Sequence, residues 1–166
     1  MSDLRKTRTK RDIFISFEEL LEEQPFEEIT VKQLVESAMI HRNTFYLHYP
    51  DKYHLLESWL YEKLKSSNIS INLFLKRPFD YISQIYREQF FKVFRKQRED
   101  NSFTNIITKV FINMLLSQNK DVQNFFIIGK IAAIIHWIQY TNQPLNIFED
   151  GPILDQIFQS EKFPED

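Results

Sequence analysis

Only two glycines, Gly129 and Gly151, punctuate a chain of 166 residues that also holds just 6 prolines. A β-rich fold needs turn residues at short, regular intervals, and this chain does not supply them. Its apolar residues instead recur three and four apart over long stretches, the period of an amphipathic helix. With 43% hydrophobic residues and 16 Phe, such helices can bury a large interior. The expected fold class is all-α.

Within that frame the segment Thr30–Lys52, TVKQLVESAMIHRNTFYLHYPDK, has the most specific pattern. Thr30 is a natural N-cap, its hydroxyl placed to accept from a backbone N–H one turn on. Leu34, Val35 and Ala38 then share one face, with Lys32, Gln33 and Glu36 turned outward. Met39-Ile40-His41 forms a corner, with Ile40 as its apolar pin. A second helix, Arg42 to His48, shows Arg42, Asn43, Thr44, Tyr46 and His48, while Phe45 faces the core. Helix, short turn, helix is the arrangement that lays a second helix in the DNA major groove. There Arg can read guanine and Asn adenine. Asn43 and Thr44 are the first candidates for base contact.

The pattern resembles the DNA-binding domain of the TetR superfamily of transcriptional regulators. The resemblance runs from Ala38 through Thr44-Phe45-Tyr46 to Lys52, and backwards through Ile13, Phe17, Leu20, Leu21, Phe26 and Ile29. It covers roughly the first third of the chain. It implies that Tyr46 and Lys52 contact backbone phosphate, positioning the protein without reading sequence. Thr30, at a helix N-terminus, would hold a phosphate too. The DNA-binding set is therefore Thr30, Arg42, Asn43, Thr44, Tyr46, His48 and Lys52. Two positions depart from the family pattern. Met39 stands where a glycine is usual, so the turn either takes a different backbone or holds Met left-handed at about 1 kcal/mol. His41 replaces the usual Ser and is a weaker N-cap.

The resemblance divides the chain into an N-terminal three-helix helix-turn-helix domain, residues 1–52, and a linker helix with a C-terminal helical bundle that dimerises, residues 53–166. It implies a homodimeric regulator, by family habit a repressor, on the double-stranded DNA of a palindromic operator. Release would follow binding of a small hydrophobic effector. The alternative is an interaction protein that does not bind DNA, or acts with a coactivator protein on its C-terminal body. The basic run Arg5, Lys6, Arg8, Lys10 and Arg11 would lie on phosphates or in a minor groove, or serve as a solubilising tail. The net charge of −2 does not oppose DNA binding, because distribution outweighs the sum.

Several function classes are excluded or disfavoured. There is no Cys, hence no disulfide and no thiolate metal site. No glycine-rich phosphate loop or nucleophile elbow appears, so no enzyme and no cofactor are expected. His41, His48, His54 and His136 lack the spacing of a metal site. The N-terminus lacks the apolar core of a signal peptide, and the greasiest run, Phe125 to Ile138, is too short to span a bilayer. A cytoplasmic protein without membrane contact is the expectation.

In the body the periodicity predicts helices over about 79–97, 103–116, 122–140 and 153–160. Ser102 and Asp121 are the predicted N-caps of the second and third, and Ser66-Ser67-Asn68 the boundary before the bundle. Phe90, Phe94, Phe111, Met114, Leu115, Phe125 and Phe126 form the candidate effector lining. Gly129, Ala132, Ala133, His136, Trp137 and Tyr140 recur along one helical face. A mid-helix Gly costs about 1 kcal/mol against Ala and usually answers a need for close approach. That face is the candidate dimer interface.

Overall fold

The computed structural model describes residues 2–66, 71–118 and 122–164, and every regular element among them is helical. In order these are α1 (Ser2–Glu23), a 3-10 turn (Phe26–Glu28), α2 (Val31–Ser37), α3 (Arg42–His48) and α4 (Lys52–Ser66). Then come α5 (Ile71–Lys76), α6 (Pro78–Ile85), a π-helical turn (Tyr86–Phe90), α7 (Phe91–Gln97), α8 (Asn101–Gln118), α9 (Gln123–Tyr140) and α10 (Gly151–Ser160). The chain forms two compact units. Met1–Leu64 with Lys92–Val110 makes the first, and Lys65–Phe91 with Phe111–Asp166 the second.

The first unit is built on α1. Neither Gly nor Pro interrupts it before Pro25, and helix formers fill its opening turns. It therefore starts at Ser2, and the basic residues Arg5 to Arg11 ride on a helix rather than on a loose arm. Its apolar stripe buries Ile13, Phe17 and Leu21, and the same unit buries Phe26, Ile29, Leu34 and Phe45 together with Leu55, Leu56, Trp59 and Leu60 of α4. Phe17 sits edge-on to Trp59 at 6.1 Å and to Phe26 at 6.2 Å. Truncating one such ring to Ala typically costs about 3–5 kcal/mol. Asp51 caps the start of α4, accepting from the His54 N–H at 2.8 Å.

In the second unit α6, α9 and α10 enclose Phe79, Ile134, Ile138, Leu154, Ile157 and Phe158. Two devices fix α10 on α6. Gly151 lies so close that a Cβ there would stand 2.7 Å from the Phe79 carbonyl oxygen, leaving room for no side chain. Asp155, buried, accepts from the backbone N–H groups of Phe79 and Asp80, both at 2.9 Å. That carboxylate satisfies two of the orphan donors at the start of α6 from another helix. Its burial raises its pKa.

The body departs from the sequence expectation in detail. The helix predicted over 79–97 is α6, the π turn and α7 in succession, and α5 was not expected. Asp100, not Ser102, caps α8, its Oδ1 accepting from the Phe103 N–H at 2.8 Å. Ser102 instead hydrogen-bonds Glu27. The final helix starts two residues earlier than predicted, with Pro152 in its first turn, where a missing N–H costs nothing. The predicted cap Asp121 and the boundary residues Ser67 and Asn68 lie outside the described residues.

Candidate nucleic-acid interface

Helix α2 opens with a capping box. The Thr30 Oγ1 accepts from the Gln33 N–H at 3.2 Å, and the Gln33 Oε1 accepts from the Thr30 N–H at 2.8 Å. The helix ends in a tight reversal: the Ile40 N–H reaches the Val35 carbonyl at 3.0 Å and the Met39 N–H the Glu36 carbonyl at 3.2 Å. This pair of bonds defines a Schellman turn, which needs a left-handed residue at its apex. Met39 supplies it, with φ 51°. Of the two backbones the sequence left open, the left-handed Met is the one observed, and Ile40 is half-buried beneath it.

Helix α3 follows with His41 as N-cap and no side-chain capping bond. Phe45 is its one fully buried side chain, wedged between Tyr46 and Tyr49 at ring distances of 5.5 and 6.0 Å. Fixing α3 by Phe45 turns Arg42, Asn43, Tyr46 and Leu47 out to solvent, with Thr44 and His48 partly covered. The Arg42 guanidinium donates to the Tyr46 hydroxyl at 3.2 Å and lies 5.6 Å over its ring. Burial, then the charges of Lys6 and Lys10, lower the pKa of His48. The basic start of α1 therefore acts electrostatically on the end of α3.

Lys52 is engaged with the backbone of its own chain. Its ammonium donates to the carbonyl oxygens of Phe26 at 3.0 Å, Glu27 at 2.8 Å and Ile29 at 2.9 Å, and lies 4.7 Å over the Phe26 ring. Three donors are all an ammonium has, so this one is occupied within the protein. Its pKa is lowered, first by burial. The hydroxyl of Thr30 is likewise engaged in the capping box.

Two residues that sequence reasoning missed complete this arrangement. Gln97, only 1% exposed, donates to the carbonyls of Leu21 at 2.6 Å and Gln24 at 2.8 Å, and accepts from the Phe26 N–H at 2.7 Å. Asp100 caps α8 with one oxygen and accepts from the Glu27 N–H at 2.8 Å with the other. The segment between α1 and α2 is thus held by Lys52, Gln97 and Asp100 together. In the sequence, Gln97 and Asp100 sit in the polar run KQREDN, which reads as a solvated helix end.

The body candidates fare differently. Phe111 packs on Phe74 at 4.8 Å in the second unit, and Phe94 on Phe103 at 5.5 Å in the first. Phe90 and Leu115 are buried and Met114 partly so, but Phe125 and Phe126 are 59% and 72% exposed. Those two do not line an enclosed cavity in this chain. Along the same outer side of α9, Gly129, Ala132, Ala133 and His136 are exposed, Trp137 is half-buried and Tyr140 is 91% exposed. A methyl at Gly129 would meet no atom within 4 Å, so nothing within the chain requires that glycine. His136, Trp137 and Tyr140 border a shallow open hollow with Gln139 and Thr141. Among the described residues no group of three His, Cys, Asp or Glu could hold a metal ion, and no helix is long and apolar enough to cross a membrane.

Comparison with known proteins agrees with this geometry. Residues 18–58 match the family described as bacterial regulatory proteins, tetR family. Two solved structures of NalD, the secondary repressor of the MexAB-OprM multidrug efflux pump in Pseudomonas aeruginosa, share the fold. One, the native protein at 2.9 Å, superposes with a TM-score of 0.51 at 13% identity, covering 93% of this chain and 96% of that one. The other gives 0.50 at 12% identity over 93% and 95%. No curated protein matches the chain significantly.

Proposed function

We propose that this chain, whose residues 18–58 match the tetR family, is a sequence-specific transcriptional regulator, a repressor that binds a palindromic operator as a homodimer. The observation that carries this reading is helix α3 itself. It is pinned by a single buried ring, set at a corner to α2, and presents Arg42, Asn43, Tyr46 and Leu47 outward. Arg42 and Asn43 carry base-reading donors and acceptors. Tyr46, steadied by Arg42, offers its hydroxyl edge to a phosphate. Thr44 and His48 complete the surface, and Lys52 acts from behind by fixing the start of α4 to the segment before α2.

The homodimer rests on α9, whose outer face leaves Phe125, Phe126 and Tyr140 exposed beside small residues. A second copy laid along that face would bury the aromatics and use the clearance at Gly129. A dimer offers two recognition helices, and their spacing selects the half-site separation. We assign the DNA-binding role to residues 1–52 and dimerisation and regulation to residues 53–166. A small apolar effector or coactivator bound to the body would release DNA by favouring one spacing of the two heads. A difference of a few kcal/mol between the two states suffices.

The test is selection from a random duplex pool with the full chain, using Tyr46→Ala as control. The reading expects an enriched palindrome that the variant fails to enrich. No enrichment even at low salt, where phosphate contacts are strongest, would refute it in favour of an interaction protein that does not bind DNA.

A further inference from the structure

Helix α3 presents two ridges, and they differ in what their side chains are free to do. Arg42 and Tyr46, four residues apart, are engaged with each other. Asn43 and Leu47, also four apart, form the neighbouring ridge. Among the described residues the Asn43 amide has no hydrogen-bond partner, and Leu47 is 84% exposed. A leucine so placed adds nothing to the core that Phe45 anchors. It also brings no charge to attract phosphate, so it gains energy only where an apolar surface waits for it.

In the major groove that surface is the C5 methyl of thymine. We propose that Leu47 is a specificity-determining residue that reads a thymine methyl, beside an adenine read by Asn43. Side chains four apart on a helix stand about 5–6 Å from each other, and successive bases on a strand rise about 3.4 Å. The two contacts therefore fall one or two base steps apart in each half-site. The inference rests on the DNA-binding reading above and deepens it: the operator half-site holds an adenine and a thymine methyl at that spacing.

Deoxyuridine in place of thymidine removes the methyl and leaves base pairing intact. Each thymine of the selected duplex is replaced in turn, and binding is measured by fluorescence anisotropy for the full-length protein and for Leu47→Ala. Leu47 is exposed and Ala favours a helix, so the variant's thermal unfolding should match that of the parent. One thymine per half-site should weaken the parent about fourfold when its methyl is removed, the worth of one buried methyl group. Leu47→Ala should be indifferent at the same position. A duplex that binds the parent equally with and without every methyl overturns the Leu47 assignment while leaving DNA binding intact. Equal methyl sensitivity in the parent and in Leu47→Ala overturns it as well. Failure to enrich any duplex removes the DNA-binding reading and this inference together.

Discussion

The segment joining α1 to α2 and the outer face of α9 answer the same question, what to do with surface that an isolated helix leaves over, in opposite ways. The first carries backbone polar groups that local bonds only partly satisfy. Lys52, Gln97 and Asp100, from far along the chain, meet them one by one. The second carries Phe125, Phe126 and Tyr140 in the open. The head closes itself within one chain, whereas the face of α9 has the composition of an interior and the exposure of a surface. A buried polar network is costly to break because its members become unpaired. An exposed aromatic can be altered without cost to the chain that bears it. The two regions should therefore respond to mutation in different observables.

The largest effect is expected at Gln97. Gln97→Leu keeps the volume and removes three hydrogen bonds, leaving buried backbone groups unmet. Urea unfolding should show a loss of about 3 kcal/mol or more. A loss under 1 kcal/mol would mean that water replaces the glutamine and that the contrast with α9 is false. Next comes Phe126→Glu, which should leave the chain's own unfolding midpoint almost unchanged. Self-association by sedimentation equilibrium should weaken about 100-fold, as for an interface anchor. An unchanged association constant would place the dimer contact elsewhere.

Gly129→Ala sharpens the comparison because its two readouts should move in opposite directions. With open space at that position, helix propensity should stabilise the monomer by about 1 kcal/mol. If a second copy approaches closely there, association should fall. Stabilisation with no loss of association would remove Gly129 from the interface. The smallest effect is expected at Met39→Gly. Relief of the left-handed Met, offset by the flexibility of an unfolded glycine, should leave a gain of about 0.5 kcal/mol in thermal unfolding. A loss would mean that Met39 contributes packing, despite being 91% exposed.

How much of this was legible in the sequence follows from how local each signal is. The all-α class, the limits of α3, the Thr30 cap and the burial of Phe45 all depend on residues within a turn or two of each other. Met39 announced a problem in the turn, and only the backbone could show which solution was taken. The hold of Gln97 and Asp100 was not legible, because their partners lie more than 70 residues away and are backbone groups without sequence identity. The hold of Lys52 on the carbonyls of Phe26, Glu27 and Ile29 was not legible for the same reason, since those acceptors are backbone groups 23 to 26 residues away. Leu47 carries no signal in the sequence, because a single apolar residue on a polar helix is informative only once its exposure is known. The effector lining was drawn from apolar clustering alone. Clustering in sequence cannot tell an inward Phe from an outward one, as Phe125 and Phe126 show.

The central claim, a dimer that joins two self-contained heads through α9, is tested most directly by weighing the complex. Sedimentation equilibrium of the full chain on the selected duplex should give two chains per duplex for the parent. Phe126→Glu should give a much weaker complex, with single chains bound at intermediate concentrations. Two chains bound with equal affinity in parent and variant would contradict the claim.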